Sequence, residues 1–339
     1  GFAGTFSAGT PVVLMHGNRV APGIWIEESD GVHLENVTIH HAPGMAVVGQ
    51  LSRDVSLHGV RVVPSGERLF SSWVDGIHLV DCDGTTRIEN CEVRGQFDDA
   101  VNVHGNFSKV VAVHDPRHLR IRTIHPQRFG RNAATAGTGL AVYRHTTMEH
   151  LLVTRVTACR ELNQEFCDIR LADPVPENAG ALIVSRHNPE NSVHIRGCTF
   201  GANRGRGCLL NIEHHVVVED CRFHVSGHAI ESVPDANYWW EGPPVLDLAI
   251  RNNHFDHCGF GPCGTTLIKA GPEFPDGSDP RAGALREATG STKHLPASDY
   301  AVLGSITITG NTITHTAGEV FDICKVANLV VSDNRITPH

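Results

Sequence analysis

Apolar and polar positions alternate along most of this chain in short runs cut by Gly, Asn and Asp. A period of two with frequent Val, Ile, Thr and Phe is strand chemistry separated by turns; helical repeats would show a 3.6-residue period. One six-residue pattern keeps returning: apolar, polar, then Asn/Gly/Asp, then Cys/Asn/Val, polar, apolar. Its copies are LENVTI (34–39), LHGVRV (57–62), IENCEV (88–93), IRGCTF (195–200), VEDCRF (218–223), IRNNHF (250–255), ITGNTI (308–313) and VSDNRI (331–336). The steps 34→57, 195→218 and 308→331 are 23 residues, and 57→88 and 218→250 are 31 and 32. A recurrent step of this length with two or three short strands per repeat predicts an all-β solenoid, a right-handed parallel β-helix. Coils stack about 4.8 Å apart, so equivalent positions form columns. The fourth-position Asn253, Asn311 and Asn334 are expected to form a structural ladder, and the inward Val/Ile/Leu/Phe columns the core.

The pattern breaks over 107–190. Alternating runs such as VVAVHD (110–115), LRIRTI (119–124), GLAVYR (139–144), LLVTRV (151–156), FCDIRL (166–171) and ALIVSR (181–186) predict a small inserted β-barrel. The solenoid then occupies 1–106 and 191–339. A second insertion, about 272–299, is rich in Pro, Gly, Ser and Asp and reads as a long surface loop.

Hydrophobic residues are 40% and charged residues 19% of 339, which suits a folded chain. The net charge of −9 excludes a basic nucleic-acid footprint, and 6% aromatics make a base-stacking platform a poor expectation. No apolar run is long enough for a membrane span. The first residues lack the pattern of a signal peptide, and the chain opens abruptly beside repeat sequence, as a fragment of a longer protein would. None of the ten cysteines forms a CxxC pair. Several share one repeat position and read as small stacked hydrophobes.

The candidate chemistry lies in WVDGIHL (73–79) and FDDAVNVHG (97–105). Aligned by apolar positions, Asp75 falls on Asp99 and His78 on Asn102, one coil apart. Asp98 precedes Asp99 and points elsewhere, because successive side chains in extended backbone alternate. Three crowded carboxylates raise one another's pKa, a cost without structural return. Glycosidases need such a group, one carboxyl to protonate the leaving oxygen and another to activate water. Turn caps at a solenoid corner and a Ca²⁺ site are the other readings of the same cluster. His104, Arg206, His228 and Glu231 fall near the same columns, and DANYWWEG (235–242) supplies Trp239 and Trp240 as aromatic faces for a sugar.

At these residues the sequence resembles glycoside hydrolase family 110, bacterial exo-acting α-1,3-galactosidases. The likeness rests on VDGIHL, FDDAVNVHG, the inserted β-domain, RGRG, SGHAIES, YWWEGPPV and IRNNHF, and runs from about 25 to 336. It implies a pectate-lyase-like β-helix with an inserted barrel, anomeric inversion, no metal or other cofactor, and catalytic carboxylates at Asp75, Asp98 and Asp99. Polygalacturonases share the Asp then Asp-Asp arrangement, but SGHAIES only half matches their Gly-His element and no Arg-x-Lys follows, which disfavours an acidic sugar.

The expected reaction is single-displacement hydrolysis of a terminal α-galactoside. Asp98 is the expected acid, and Asp75 and Asp99 hold and deprotonate the water, with acid and base about 6.5–9.5 Å apart. His78, Asn102, His104, Arg206, His228, Glu231, Trp239 and Trp240 are expected to bind substrate. A polysaccharide lyase and a non-catalytic carbohydrate-binding solenoid are the rival classes. The partner is an oligosaccharide or glycan, with no nucleic acid and no membrane span. The substrate class implies an extracellular or periplasmic location. A solenoid without terminal caps needs further sequence or a second copy, so a homo-oligomer is a further expectation.

Overall fold

The corner of every coil carries the signature that the repeat requires. In a computed structural model describing residues 7–14, 19–177, 179–261, 263–275, 300–316 and 318–337, the third motif position adopts left-handed φ in all eight copies. These are Asn36, Gly59, Asn90, Gly197, Asp220, Asn252, Gly310 and Asp333, with φ between 54° and 69°. Only Gly, and less readily Asn and Asp, enters that region at low cost. The residue types at the corner are therefore set by backbone geometry.

Each corner joins two parallel sheets, and a third closes the coil. The described residues form three parallel sheets of eight strands, each strand pairing with its counterpart one coil on. One contains Ile77–Val80, Val101–His104, Cys208–Asn211 and Ile230–Ser232; the second contains Thr85–Glu89 and Ser192–Arg196; the third contains Glu92–Arg94 and Thr199–Gly201. The chain is thus a parallel β-helix. One continuous core threads it, including Leu57, Ile88, Ile195, Val218, Ile250 and Ile308 from one face and Phe200, Phe223 and Phe255 from another. Phe223 and Phe255 stack at 4.9 Å between ring centroids.

The fourth motif position points inward beneath the corner. Cys91, Cys198 and Cys221 are free and buried there, and the Cys91 and Cys198 backbone N–H groups each face the next coil's sulfur at 3.4 Å. Asn takes over in later coils. Asn311 Oδ1 accepts from Asn253 N (2.9 Å), while Asn311 Nδ2 donates to Ile250 O (2.9 Å) and Asn334 Oδ1 (2.8 Å). Asn311→Ala leaves a buried N–H and a buried carbonyl without partners, so a loss of roughly 2–4 kcal/mol is expected in chemical denaturation. A loss under about 0.5 kcal/mol, the scatter of ordinary surface changes, would mean the ladder is decorative.

The interruption is a closed antiparallel barrel whose strands run from Ser108–Asp115 to Leu182–Arg186. It has its own core of Leu119, Ile121, Leu140, Val142, Val156 and Ile169. Coil register passes across it undisturbed: Thr85–Glu89 pairs with Ser192–Arg196, and Val101–His104 with Cys208–Asn211. The second predicted insertion falls largely on residues 276–299, outside the described residues. No helix among the described residues is long and apolar enough to cross a membrane.

Candidate active site

The first sheet aligns the candidate residues as apolar registration requires. Ile77, Val101, Cys208 and Ile230 pair in sequence across adjacent strands, and so do His78, Asn102, Leu209 and Glu231. The pairing continues upstream through Gly76 N to Asp99 O, Ala100 N to Arg206 O and Gly207 N to His228 O, all within 2.9–3.0 Å. Asp75, Asp99, Arg206 and His228 therefore share one column. Gly205 lets the coils meet here, because a Cβ at that position would lie 2.5 Å from the Asp98 carbonyl carbon.

Arg206 neutralises the middle of this column. Its Nε donates to Asp99 Oδ1 and its Nη2 to Asp99 Oδ2, both at 2.8 Å, and its Nη1 donates to Glu231 Oε1 at 3.0 Å. The Arg206 backbone N–H also donates to Asp99 Oδ1 at 2.9 Å. Such a two-point fork fixes both position and charge. Burial pushes Glu231 up, but Arg206 and His228 outweigh it and hold the carboxyl below its ordinary value. His228 lies 3.4 Å from Glu231.

Asp75 is buried beside a different partner. Its Oδ2 lies 2.6 Å from His78 Nδ1, and its Oδ1 accepts from the Asp99 backbone N–H at 3.1 Å. Burial, followed by the Asp99 charge, pushes its carboxyl well above the usual range. Asp98 turns outward as the alternation predicts. Its side chain is 35% exposed and faces Arg19 at 3.8 Å. Burial first, then Asp75 and Asp99, raise its pKa to about 7.

The nearest oxygens of the three carboxyl groups lie within 4.8 Å of one another. Between nearest oxygens this is closer than the roughly 6.5–9.5 Å expected between the carboxyl groups of an acid and a base. The reason is coil stacking: neighbours in a column stand one strand spacing apart, and Asp98 is bonded to Asp99. A cation would find this donor set already committed, with Asp99 held by Arg206 and Asp75 by His78 and a backbone N–H.

These groups line a hollow of about 290 Å³, the lower end of small-molecule sites. Of the residues expected to bind substrate, His78, Asn102, His104, Arg206 and Trp239 line it. Its far wall belongs to the barrel, through His125, Gln127 and Arg128. Arg128 Nη2 donates to Asp81 Oδ2 at 2.6 Å. Arg128 Nε and Nη1, Asn102 Oδ1 and Gln50 Oε1 are buried with no hydrogen-bond partner in the protein. Carboxyl, amide, imidazole and guanidinium groups converge on this one small hollow, which suits a ligand dense in hydroxyl groups.

Curated relatives match along most of the chain. An α-1,3-galactosidase B of Bacteroides thetaiotaomicron is 30% identical over 97% of this chain and 56% of its own length. An α-1,3-galactosidase A of Akkermansia muciniphila is 27% identical over 98% of this chain and 53% of its own. These matches support the assignment to glycoside hydrolase family 110 that the sequence resemblance implies. The chain spans about half the length of the curated relatives it matches. No family model matches it. The match to the tailspike of Acinetobacter baumannii bacteriophage AP22, solved with a capsular saccharide, covers 77% of this chain and 54% of the tailspike at 10% identity and a TM-score of 0.20.

Three of the residues expected to bind ligand stand elsewhere. His228 and Glu231 do not line the hollow; they lie behind Arg206 and steady it. Trp240 is 6% exposed and packs with Phe107, Tyr143, Met148 and Ile183, whereas Trp239 is 40% exposed at the rim. The left-handed φ of 62° at Trp240 and the Asp235 carboxylate, which accepts from the Tyr238 N–H at 3.0 Å, shape the turn that separates the two rings. Sequence reasoning missed Arg19, Trp25, Gln50, His125, Gln127, Arg128 and Glu241. Gln50 was within reach, because it shares a column with Val80 and His104. Glu241 lies beside Trp239 and Trp240 in the YWWEG segment, and burial raises its pKa.

Proposed function

We propose that this chain carries the active site of an exo-acting α-1,3-galactosidase that releases terminal α-galactose from oligosaccharides or glycans by single displacement. The observation that carries this reading is Asp98, a half-exposed carboxyl with a pKa near 7, set beside an Arg-matched Asp99 in a sugar-sized hollow. Asp98 gives its proton to the glycosidic oxygen as the carbon–oxygen bond breaks. Water held between Asp75 and Asp99 forms the new bond to the anomeric carbon, and Asp99 takes its proton. The short carboxylate spacing alone would suit retention. Inversion is favoured because Asp75 and Asp99 are buried and held by His78 and Arg206, so they are better placed to hold water than to attack carbon.

The test is a screen of p-nitrophenyl glycosides with B-type and linear α-galactosyl oligosaccharides, followed by NMR of the first anomer released. Galactose appearing initially as the β-anomer is expected. Initial α-galactose would contradict inversion. An unsaturated, ultraviolet-absorbing product would replace the reading with a lyase, and binding without turnover would replace it with a lectin-like solenoid. The substrate class carries with it an extracellular or periplasmic location.

A further inference from the structure

A line of hydrogen bonds runs from Asp75 along the wall of the hollow and ends on a backbone carbonyl. Asp75 Oδ2 lies 2.6 Å from His78 Nδ1, His78 Nε2 lies 3.1 Å from His104 Nε2, and His104 Nδ1 lies 2.6 Å from Gly105 O. The two rings meet edge to face at 5.0 Å. Gly105 O can only accept, so His104 Nδ1 must carry a hydrogen. In a neutral ring the other nitrogen is then an acceptor. His104 Nε2 therefore receives, and His78 Nε2 must donate. A neutral His78 has its lone pair at Nδ1, and only a protonated Asp75 can donate to it.

We infer that His104, anchored by Gly105, is a positioning residue that fixes His78 as its Nε2–H tautomer and makes Asp75 a neutral carboxyl hydrogen-bonded to it. The alternative, an imidazolium at His78 beside an Asp75 carboxylate, is opposed by the surroundings. Burial first, and then Arg19 and Arg128, lower His78 to about 4 against the pull of Glu241 and Asp99. Burial, His78 and Arg128 hold His104 well below its ordinary value against Asp81 and the Gly105 bond. Asp75 is raised by burial, Asp99 and Glu241 against Arg19 and Arg206. The relay thus keeps a third negative charge out of the Asp98–Asp99 pair. Its kinetic consequence rests on the galactosidase reading; the tautomers are a property of the resting protein.

The full chain labelled with ¹⁵N-histidine tests this without any substrate. Long-range ¹H–¹⁵N spectra at pH 7, assigned with His78→Gln and His104→Gln, should show His78 neutral with its proton on Nε2 and His104 neutral with its proton on Nδ1. An imidazolium at either position, or a proton on His78 Nδ1, overturns the inference. The kinetic arm uses His104→Phe, which removes the acceptor but keeps a ring. His78 is then free to carry its proton on Nδ1, Asp75 ionises, and the basic limb of kcat/KM moves up by about one pH unit. His104→Gln, whose amide oxygen can accept from His78, should restore the wild-type limb. Wild-type tautomers with an unmoved limb in His104→Phe would reduce His104 to packing and overturn its role. Absence of galactosidase activity would strike the functional reading alone, because the spectra still decide the tautomers.

Discussion

Asp98→Asn should lose about 10²–10⁴-fold in kcat/KM on an α-galactosyl oligosaccharide, the range of a lost general acid. The change is nearly isosteric at a half-exposed site, so the denaturation midpoint should hold. The loss should shrink sharply on p-nitrophenyl α-galactoside, whose leaving group departs without a proton. An equal loss on both substrates would mean that Asp98 binds rather than protonates. The pH dependence has a definite sign. The acid works only in its protonated form, and burial with Asp75 and Asp99 sets its pKa near 7. Activity should fall as pH rises through 7, and Asp98→Asn should abolish that limb. A limb that survives the substitution belongs to another group.

The second large effect is on stability. Arg206→Leu removes a guanidinium forked onto Asp99 and bonded to Glu231. It leaves two buried carboxylates facing each other across the vacated space. Removing one partner of a buried charge group costs about 3–5 kcal/mol, because the remaining charge has lost both water and its counterion. Denaturation at pH 7 should show that loss, and lowering the pH should recover part of it as the carboxyl groups take up protons. A double change, Arg206→Leu with Glu231→Gln, should be milder than the two single losses summed. An Arg206→Leu chain as stable as wild type would mean the column is not held by charge. Arg206→Lys keeps a cation but loses the fork, so it should fall between the two.

What could be read from the residues follows the mechanics of stacking. The eight motif copies were visible because each corner demands a left-handed residue, and only a few residue types take that conformation readily. The Asp75–Asp99 and His78–Asn102 columns were visible because a one-residue slip would turn the apolar face outward, so aligning Ile77 with Val101 fixes everything beside them. Arg206 and its partners followed from the same rule one coil later. The rest of the hollow obeys no repeat. Arg128, Gln127 and His125 reach it from the barrel, and Arg19 from an irregular segment before the first described strand, through docking that no periodicity encodes. Trp239 and Trp240 look equivalent in sequence; a turn held by the Asp235 carboxylate, with left-handed φ at Trp240, leaves one at the rim and the other in the interior. The close approach of the nearest carboxyl oxygens follows from how tightly neighbouring coils lie, which a generic acid–base gap does not encode.

The barrel's point of attachment has a consequence for the hollow. Its opening and closing strands pair with each other at Ser108–Val184 and Lys109–Ile183, so the insert leaves and rejoins the solenoid through one narrow stalk. The coils on either side already meet in register without it. The register of the acidic column is therefore set by the coils, while the barrel, docked through Arg128 and the Phe107–Trp240 cluster, supplies one wall of the hollow. A change in that wall alters what the hollow accepts and, through Arg128, the charge around His78 and His104, while the coil register that places the acidic column is kept.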